Sequence, residues 1–291
     1  MFFLLVMWGS FAAISKLVLY NIDSFQVQFY MFGVAVIIMT LILLAKGKMA
    51  DLLTIQVTDL ARLVLYGVPS YLYYFLYLLA LKLIPAVEAS MLNYLFPIMV
   101  VLFAVPIHKE KLDNAKLFSI LLGFLGMIII ITNGRFYNIR LTNLPGDLLA
   151  IGAAICWGIF SNLGKKNAID SFISIYVYTV VSFFLAMVMM LAFSSFTVPS
   201  LPAGAGLLWL GMSNIVLSYF LWFKILKSVP ISMVANLSFI TPFVTLLFIA
   251  LLLGERISLI QLAGLLVIML GIVLQSTGKA ILMKFKQYFQ D

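Results

Sequence analysis

Twice in this chain a proline stands deep inside an apolar run with a polar residue four positions ahead of it: Pro97 after Asn93, and Pro242 after Ser238. Proline has no N–H, so the carbonyl four residues earlier loses its helical partner. In hydrocarbon such an oxygen must be satisfied by a neighbour, by water or by a ligand. The chemistry on offer is hydrogen bonding from opened backbone, with no bond made or broken. Asn93, Tyr94, Asn236, Ser238 and Thr241 surround the two breaks, and polar side chains at this depth face protein or water. Their plainer use is bonding between helices, worth about 0.6 kcal/mol each. Breaks and polar groups coincide twice, which favours a binding site.

Aromatic side chains add a second chemistry. Trp8-Gly9 and Trp157-Gly158 lie near the middle of apolar runs. Glycine admits a close neighbour and tryptophan offers a broad wall with one donor; plain helix packing is the competing reading. Tyr71, Tyr73, Tyr74 and Tyr77 crowd one stretch, with Tyr219 and Trp222 as counterparts later in the chain. An interfacial belt would collect tyrosines at span ends; these run through the middle, as the wall of a cavity would. Glu88 is the candidate for proton coupling, since an acid inside a membrane span is functional by default. It stands five residues from Asn93, about 140° round an ideal helix, so capping or pairing with Lys82 competes. Lys16 and Lys165 are expected to snorkel to the interface, and His108 to be solvated. Enzyme motifs are missing: no H-E-x-x-H, no P-loop, no paired metal-binding acids. No metal and no cofactor is expected.

The elements that must position these residues form a repeat. Pro85 to Lys111 returns as Pro230 to Arg256, a shift of 145 positions that matches Pro85 with Pro230, Pro97 with Pro242 and Glu110-Lys111 with Glu255-Arg256. Tyr74-Phe75-x-Tyr77 returns as Tyr219-Phe220-x-Trp222 at the same shift, Gly126 as Gly271, and Trp8-Gly9-x-Phe11 with Lys16 as Trp157-Gly158-x-Phe160 with Lys165 at a shift of 149. Ten apolar stretches are each long enough to cross a ~30 Å hydrocarbon core: roughly 1–20, 25–45, 62–84, 86–107, 113–133, 146–166, 171–194, 205–227, 230–252 and 258–277. Five spans per copy is odd, so the copies enter from opposite sides. The reading is an all-α membrane protein of two inverted five-helix repeats, 1–140 and 141–278, with a short basic tail at 279–291. Shared sites in such repeats lie near the midplane. Seven residues precede Trp8 while about eleven of the sixth span precede Trp157, so the first span is short or the start misassigned.

Composition agrees. The chain of 291 residues is 65% hydrophobic and 10% charged, with mean hydropathy +1.18; soluble domains carry about a quarter charged residues. The net charge of +8 reflects lysines in loops, not a nucleic-acid partner. With the N-terminus inside, 13 Lys and Arg fall inside and 5 outside, so both termini are expected in the cytoplasm. The lone Cys156 supports no disulfide framework, and no cleavable signal peptide is expected from the apolar run that follows Met1.

Trp8-Gly-x-Phe11 with Lys16, the run Leu92 to Pro97 and the closing Gly254-Glu255-Arg256 resemble the drug/metabolite transporter superfamily, specifically its EamA-type ten-helix members. The resemblance covers almost the whole chain. Val87 to Pro97 looks most like the aromatic-amino-acid exporter branch, where a tryptophan commonly precedes the proline; here Phe96 keeps the aromatic wall without the indole donor. His108-Lys109-Glu110 departs from the usual Leu-Gly-Glu, which Leu253-Gly254-Glu255 keeps. The resemblance implies a ten-helix basket around a cavity lined by spans 1, 3, 4, 6, 8 and 9, in an inner membrane, and export of amino acids or similar metabolites by alternating access. Trp8, Tyr74, Tyr77, Phe96, Trp157, Tyr219 and Trp222 would then touch the solute, with Asn93, Tyr94, Asn236, Ser238 and the breaks at Pro97 and Pro242 bonding it. A carrier of nucleotide-sugars or other anions stands second, for want of a mid-span arginine. A non-transporting scaffold subunit is the alternative of another class. The expected partners are a small-molecule substrate and the lipid bilayer, with protons as the coupling ion to test and a monomer favoured over a homodimer.

Overall fold

The computed structural model describes residues 1–84, 89, 92–138, 143–253 and 257–288; Pro85, Glu88 and the Glu255-Arg256 pair lie outside the described residues. Those residues form helices and their connections, with no strand among them. In chain order the helices are α1 (Phe2–Leu19), α2 (Ser24–Ala45), α3 (Asp51–Thr54), α4 (Val57–Leu83), α5 (Phe96–His108), α6 (Asn114–Thr132), α7 (Leu144–Lys166) and α8 (Ser171–Phe193). There follow α9 (Leu201–Trp209), a π-helical segment Leu210–Leu217, α10 (Ser218–Ser228), α11 (Ile231–Ser238), α12 (Thr241–Leu253) and α13 (Leu259–Tyr288). Helices α2, α4, α6, α7, α8 and the run Leu201–Ser228 are long and apolar enough to cross a membrane, with shorter apolar helices at Phe2–Phe11, Phe96–His108, Ile231–Thr245 and Leu259–Leu274.

Local chemistry sets where these helices begin. Asp23 accepts from the N–H groups of Phe25 and Gln26 while Gln26 Oε1 accepts from the Asp23 N–H, a reciprocal cap on α2. Ser258 and Gln261 repeat the device before α13. Asp113, Asn143 and Asp170 cap α6, α7 and α8 through side-chain oxygens. Both proline-bearing stretches break, and they break at equivalent positions. Tyr94 and Leu95 form a turn before α5 starts at Phe96, and Phe239 and Ile240 form a turn before α12 starts at Thr241.

Small residues then set how closely the helices approach. A Cβ on Gly126 of α6 would stand 2.5 Å from the Gly264 carbonyl oxygen, and one on Gly271 of α13 would stand 2.8 Å from that of Ser119. Under the 145-residue shift these two contacts exchange, Gly126 for Gly271 and Ser119 for Gly264. The helices therefore run antiparallel with the pattern that a two-fold axis leaves. Helices α1 and α7 show the same exchange against the broken helices. A Cβ on Gly9 would lie 2.8 Å from Val244 Cγ1, and one on Gly158 would lie 2.8 Å from Met99 Cβ; Val244 and Met99 are equivalent. Outward faces stay apolar, with Ile37, Leu41, Leu121, Phe184 and Leu191 exposed as a lipid coat requires.

One end of the bundle collects charge. Lys48 pairs with Asp170, Lys165 with Glu110 at 3.3 Å, and Lys227 Nζ donates to Ser171 Oγ at 3.4 Å. At the opposite end the segment after α8 crosses back over α2, where Gln26 Nε2 donates to Thr197 Oγ1 at 3.1 Å and Tyr30 OH to the Thr197 carbonyl at 2.6 Å.

The α6–α13 contact predicts a paired result. Gly126→Ala overpacks a backbone-to-backbone crossing and is expected to cost about 1–3 kcal/mol. Gly204→Ala meets nothing within 4 Å and should leave thermal unfolding in detergent within about 0.5 kcal/mol.

Candidate functional site: an aromatic cluster beside two broken helices

Glycine and tryptophan turn out to divide the work at Trp8-Gly9 and Trp157-Gly158. Each glycine presses its helix onto the broken helix of the other repeat, and each adjacent tryptophan is thereby turned toward the centre. The ring of Trp8 lies 5.8 Å from Trp157, 5.1 Å from Trp222 and 5.9 Å from Phe96, centre to centre. Tyr73 lies 4.8 Å from Trp157 and stacks over Tyr77 at 6.3 Å. Tyr74 adjoins Tyr73 at 4.9 Å, Tyr94 joins through Phe96 at 6.2 Å, and Tyr219 reaches Trp157 at 6.1 Å. Every aromatic residue predicted for the site is in this one ring-to-ring network. Trp222 and Tyr219 are fully buried within it.

The polar candidates separate. Asn93 Nδ2 donates to the Tyr73 hydroxyl at 3.4 Å, which places Asn93 on the cluster. Its Oδ1 is buried and has no hydrogen-bond partner, and the Nε1 of Trp157 is buried and unpartnered too. Trp222 differs, since its Nε1 donates to Ser161 Oγ at 2.9 Å. Asn236, expected beside the second break, packs instead on α6, where its Oδ1 would meet a Cβ on Gly123 at 2.7 Å. It precedes Ser238 by two residues, about 200° round a helix, so the two cannot share a face. Ser238 Oγ is turned back to the Val234 carbonyl at 2.9 Å.

The two breaks are consequently unlike. Thr241 Oγ1 donates to the Ser238 carbonyl at 2.7 Å and satisfies the oxygen that Pro242 released. At the equivalent place before Pro97 stands Phe96, which has no donor to give. The cap that Thr241 gives the second break therefore has no counterpart on the side chain at the first, where the Asn93 amide oxygen is unpartnered.

A second symmetric feature joins α4 to the π segment and α10. Tyr74 OH donates to the Asn214 carbonyl at 3.3 Å, and Tyr219 OH shares a 2.6 Å hydrogen bond with Ser70 Oγ, to which Ser182 Oγ also donates at 3.4 Å. Each of these equivalent tyrosines thus reaches the other's helix about one turn ahead of its partner. Backbone irregularity supports both contacts: Pro69 interrupts the α4 ladder and Asn214, its equivalent at 145 residues, sits in the π turns. Such bulges recur at functional sites.

Lys165 was expected to reach for the interface; it meets Glu110 instead, and Glu110 Oε1 also accepts from the Ile231 N–H at the start of α11, 3.5 Å away. That carboxylate joins α5, α7 and α11 at the charged end. Lys82 lies over the Phe25 ring at 4.6 Å. Two buried polar residues, one central and one at a helix end, escaped the sequence reading. Ser70 could have been found one residue after Pro69 and four before Tyr74. Asp147 is an acid only 2% exposed in the first turn of α7; its repeat equivalent would precede Met1, so the repeat gives no signal for it. No group of three potential metal ligands occurs among the described residues.

The sequence pattern of the EamA-like transporter family matches residues 1–132 and again 144–277. An uncharacterized transporter of Archaeoglobus fulgidus is 27% identical over 87% of this chain and 87% of its own length. The aromatic amino acid exporter YddG of Ancylobacter novellus is 31% identical over 33% of this chain and 34% of the exporter. A solved crystal structure superposes with a TM-score of 0.81 at 20% identity, covering 94% of each chain, which establishes a shared fold.

Trp222→Phe removes the donor to Ser161 inside the cluster and leaves a buried hydroxyl unmatched. The expected loss is about 1–3 kcal/mol of stability, measured by denaturant unfolding in micelles.

Proposed function

The chain belongs to the EamA-like transporter family, and from that footing we propose that it is a secondary exporter of amino acids or similar small amphipathic metabolites, working by alternating access. The family and the named relatives are transporters, not enzymes. In this reading the chain crosses the inner membrane ten times with both termini in the cytoplasm, and its two repeats are inverted. The reciprocal glycine contacts of α6 and α13 support the inversion, and the gathering of Lys48, Lys165 and Lys227 at one end supports the orientation.

The observation that carries the substrate reading is the pairing of aromatic surface with unmatched polar atoms at the first break. The apolar body of the solute lies against Trp8, Tyr77, Phe96 and Trp157. Its polar end takes the places left open at Asn93 Oδ1 and the Trp157 indole N–H. A buried polar group without a partner costs about 1–3 kcal/mol, so a solute that supplies both a donor and an acceptor is favoured over a hydrocarbon of the same shape. The second break, capped by Thr241, contributes shape more than bonding. Lysines that sit over rings, Lys46, Lys48 and Lys82, lie over Phe172 and Phe25 outside the cluster, which favours this reading over a carrier of phosphorylated anions. In this conformation the rings touch one another, so loading requires the two halves to part. The Glu110 junction of α5, α7 and α11 is the tie that must open on the cytoplasmic side.

The test is efflux of radiolabelled amino acids from loaded proteoliposomes, with and without a pH gradient. Asn93→Ala and Trp157→Phe, which each remove one side of the polar pair, should slow efflux about 10-fold or more, the equivalent of ~1.4 kcal/mol, while unfolding temperatures stay near that of the parent. Unchanged efflux in both would discard the site. Glu110→Gln should change the transport rate with little effect on substrate affinity, as a loosened gate does.

A further inference from the structure

Away from the aromatic cluster, at the charged end, the structure holds a cavity of about 470 Å³ between the start of α4 and the turn that joins α7 to α8. Asp59, Arg62 and Tyr66 line one side, spaced along one face of α4, and Lys166, Asn167 and the following apolar pair line the other. The volume far exceeds the ~30 Å³ share of one water molecule and accommodates a phosphate with its glycerol.

Its charge is uneven. Asp59 Oδ1 pairs with one guanidinium nitrogen of Arg62 at 3.0 Å, while the Arg62 side chain keeps 55% of its surface exposed; a guanidinium has five donors, so most remain available. Lys166 has no ion-pair partner among the described residues, whose pairs are Lys48–Asp170, Arg62–Asp59 and Lys165–Glu110. The nearby acid on the turn is already engaged. Burial pushes the Asp170 carboxyl up, but Lys48 and the N–H groups of Ile173 and Phe172 outweigh it and hold the carboxyl below its ordinary range. Asp170 therefore stays ionised and committed to Lys48. The Asn167 amide is spent as well: its Nδ2 donates to Ser174 Oγ at 2.6 Å and Tyr178 OH at 3.3 Å, and its Oδ1 accepts from the Ile169 N–H at 3.2 Å. The wall is thus fixed, and Arg62 and Lys166 supply its cationic donors beside the Tyr66 hydroxyl.

Apolar surface continues from the same place. Leu65, three residues past Arg62 and so one turn further along α4, is 66% exposed, and Ala168 and Ile169 line the cavity itself. An anion held at Arg62 and Lys166 would trail a hydrocarbon chain over these side chains. We propose that this cavity binds the phosphate of an anionic phospholipid, with an acyl chain lying along Leu65. Basic pockets between helices on the cytoplasmic side are where anionic headgroups find both charge and depth. Arg62 supplies a planar fork suited to two phosphate oxygens, Lys166 a point charge, and Asp59 competes for the same guanidinium. Free inorganic phosphate offers the same oxygens without the chains, and the hydrocarbon path favours the lipid.

The test uses the full chain purified in a neutral detergent, its thermal unfolding followed by tryptophan fluorescence. Phosphatidylglycerol added near saturation should raise the midpoint by about 3 °C, and phosphatidylcholine or millimolar sodium phosphate should not. Lys166→Gln and Arg62→Gln should each reduce the shift, and Asp59→Asn, which frees the guanidinium, should enlarge it. Native mass spectrometry supplies an independent reading: phosphatidylglycerol should stay bound to the parent and to D59N and leave K166Q. Equal stabilisation by phosphatidylcholine, full reproduction by phosphate alone, or unchanged lipid retention in K166Q would each overturn the proposal. No transport is measured, so a wrong solute assignment would leave this outcome untouched.

Discussion

A backbone oxygen inside hydrocarbon must find a donor, and the rest of this molecule is arranged around two oxygens that have lost theirs. Pro97 and Pro242 release the carbonyls of Asn93 and Ser238, and both helices break there, α5 beginning at Phe96 and α12 at Thr241. Once broken, each helix needs a neighbour close enough to support it. Gly9 and Gly158 provide that closeness from the opposite repeat. Because a tryptophan precedes each glycine, close packing and the aromatic wall come from the same dipeptide. Helix packing, one of the two explanations weighed for Trp-Gly, falls to the glycines, while the tryptophans enter the ring cluster.

Symmetry of backbone is combined with asymmetry of chemistry. The repeat places the same break twice, yet threonine caps one oxygen and phenylalanine stands before the other. Trp157 and Trp222 likewise share one cluster, but only Trp222 has its indole donor engaged, by Ser161. Asn93 Oδ1 and Trp157 Nε1 are thus unpartnered where Trp222 and the second break are engaged. A duplicated scaffold can hold an unsymmetrical solute only through differences of this kind.

Much of this was legible in the sequence because repetition made it visible. The 145-residue shift located both breaks and paired Gly126 with Gly271, while the reciprocal caps at Asp23-Gln26 and Ser258-Gln261 became visible only in the structure. What was hidden depended on rotation about helix axes and on irregular backbone. Asn236 was placed near the second break by its number, and two residues of helix turned it toward Gly123. No proline marks Leu210–Leu217, so its π turns had no signal beyond its alignment with Pro69. The ion pair of Lys165 with Glu110 spans 55 residues of sequence, a separation at which charge spacing carries no information. Asp147 went unseen because its counterpart would precede the first residue.

The glycine crossing of α6 and α13 also restricts how the halves can move. Gly126 meets Gly264, and Ser119 meets Gly271, so main chain rests against main chain at two points one helical repeat of seven apart. Translation along this seam by a turn would bring side chains where only hydrogens fit. Tilting about it disturbs neither contact much. The seam therefore leaves room for tilting and resists sliding, a constraint that any relative movement of these two helices would meet.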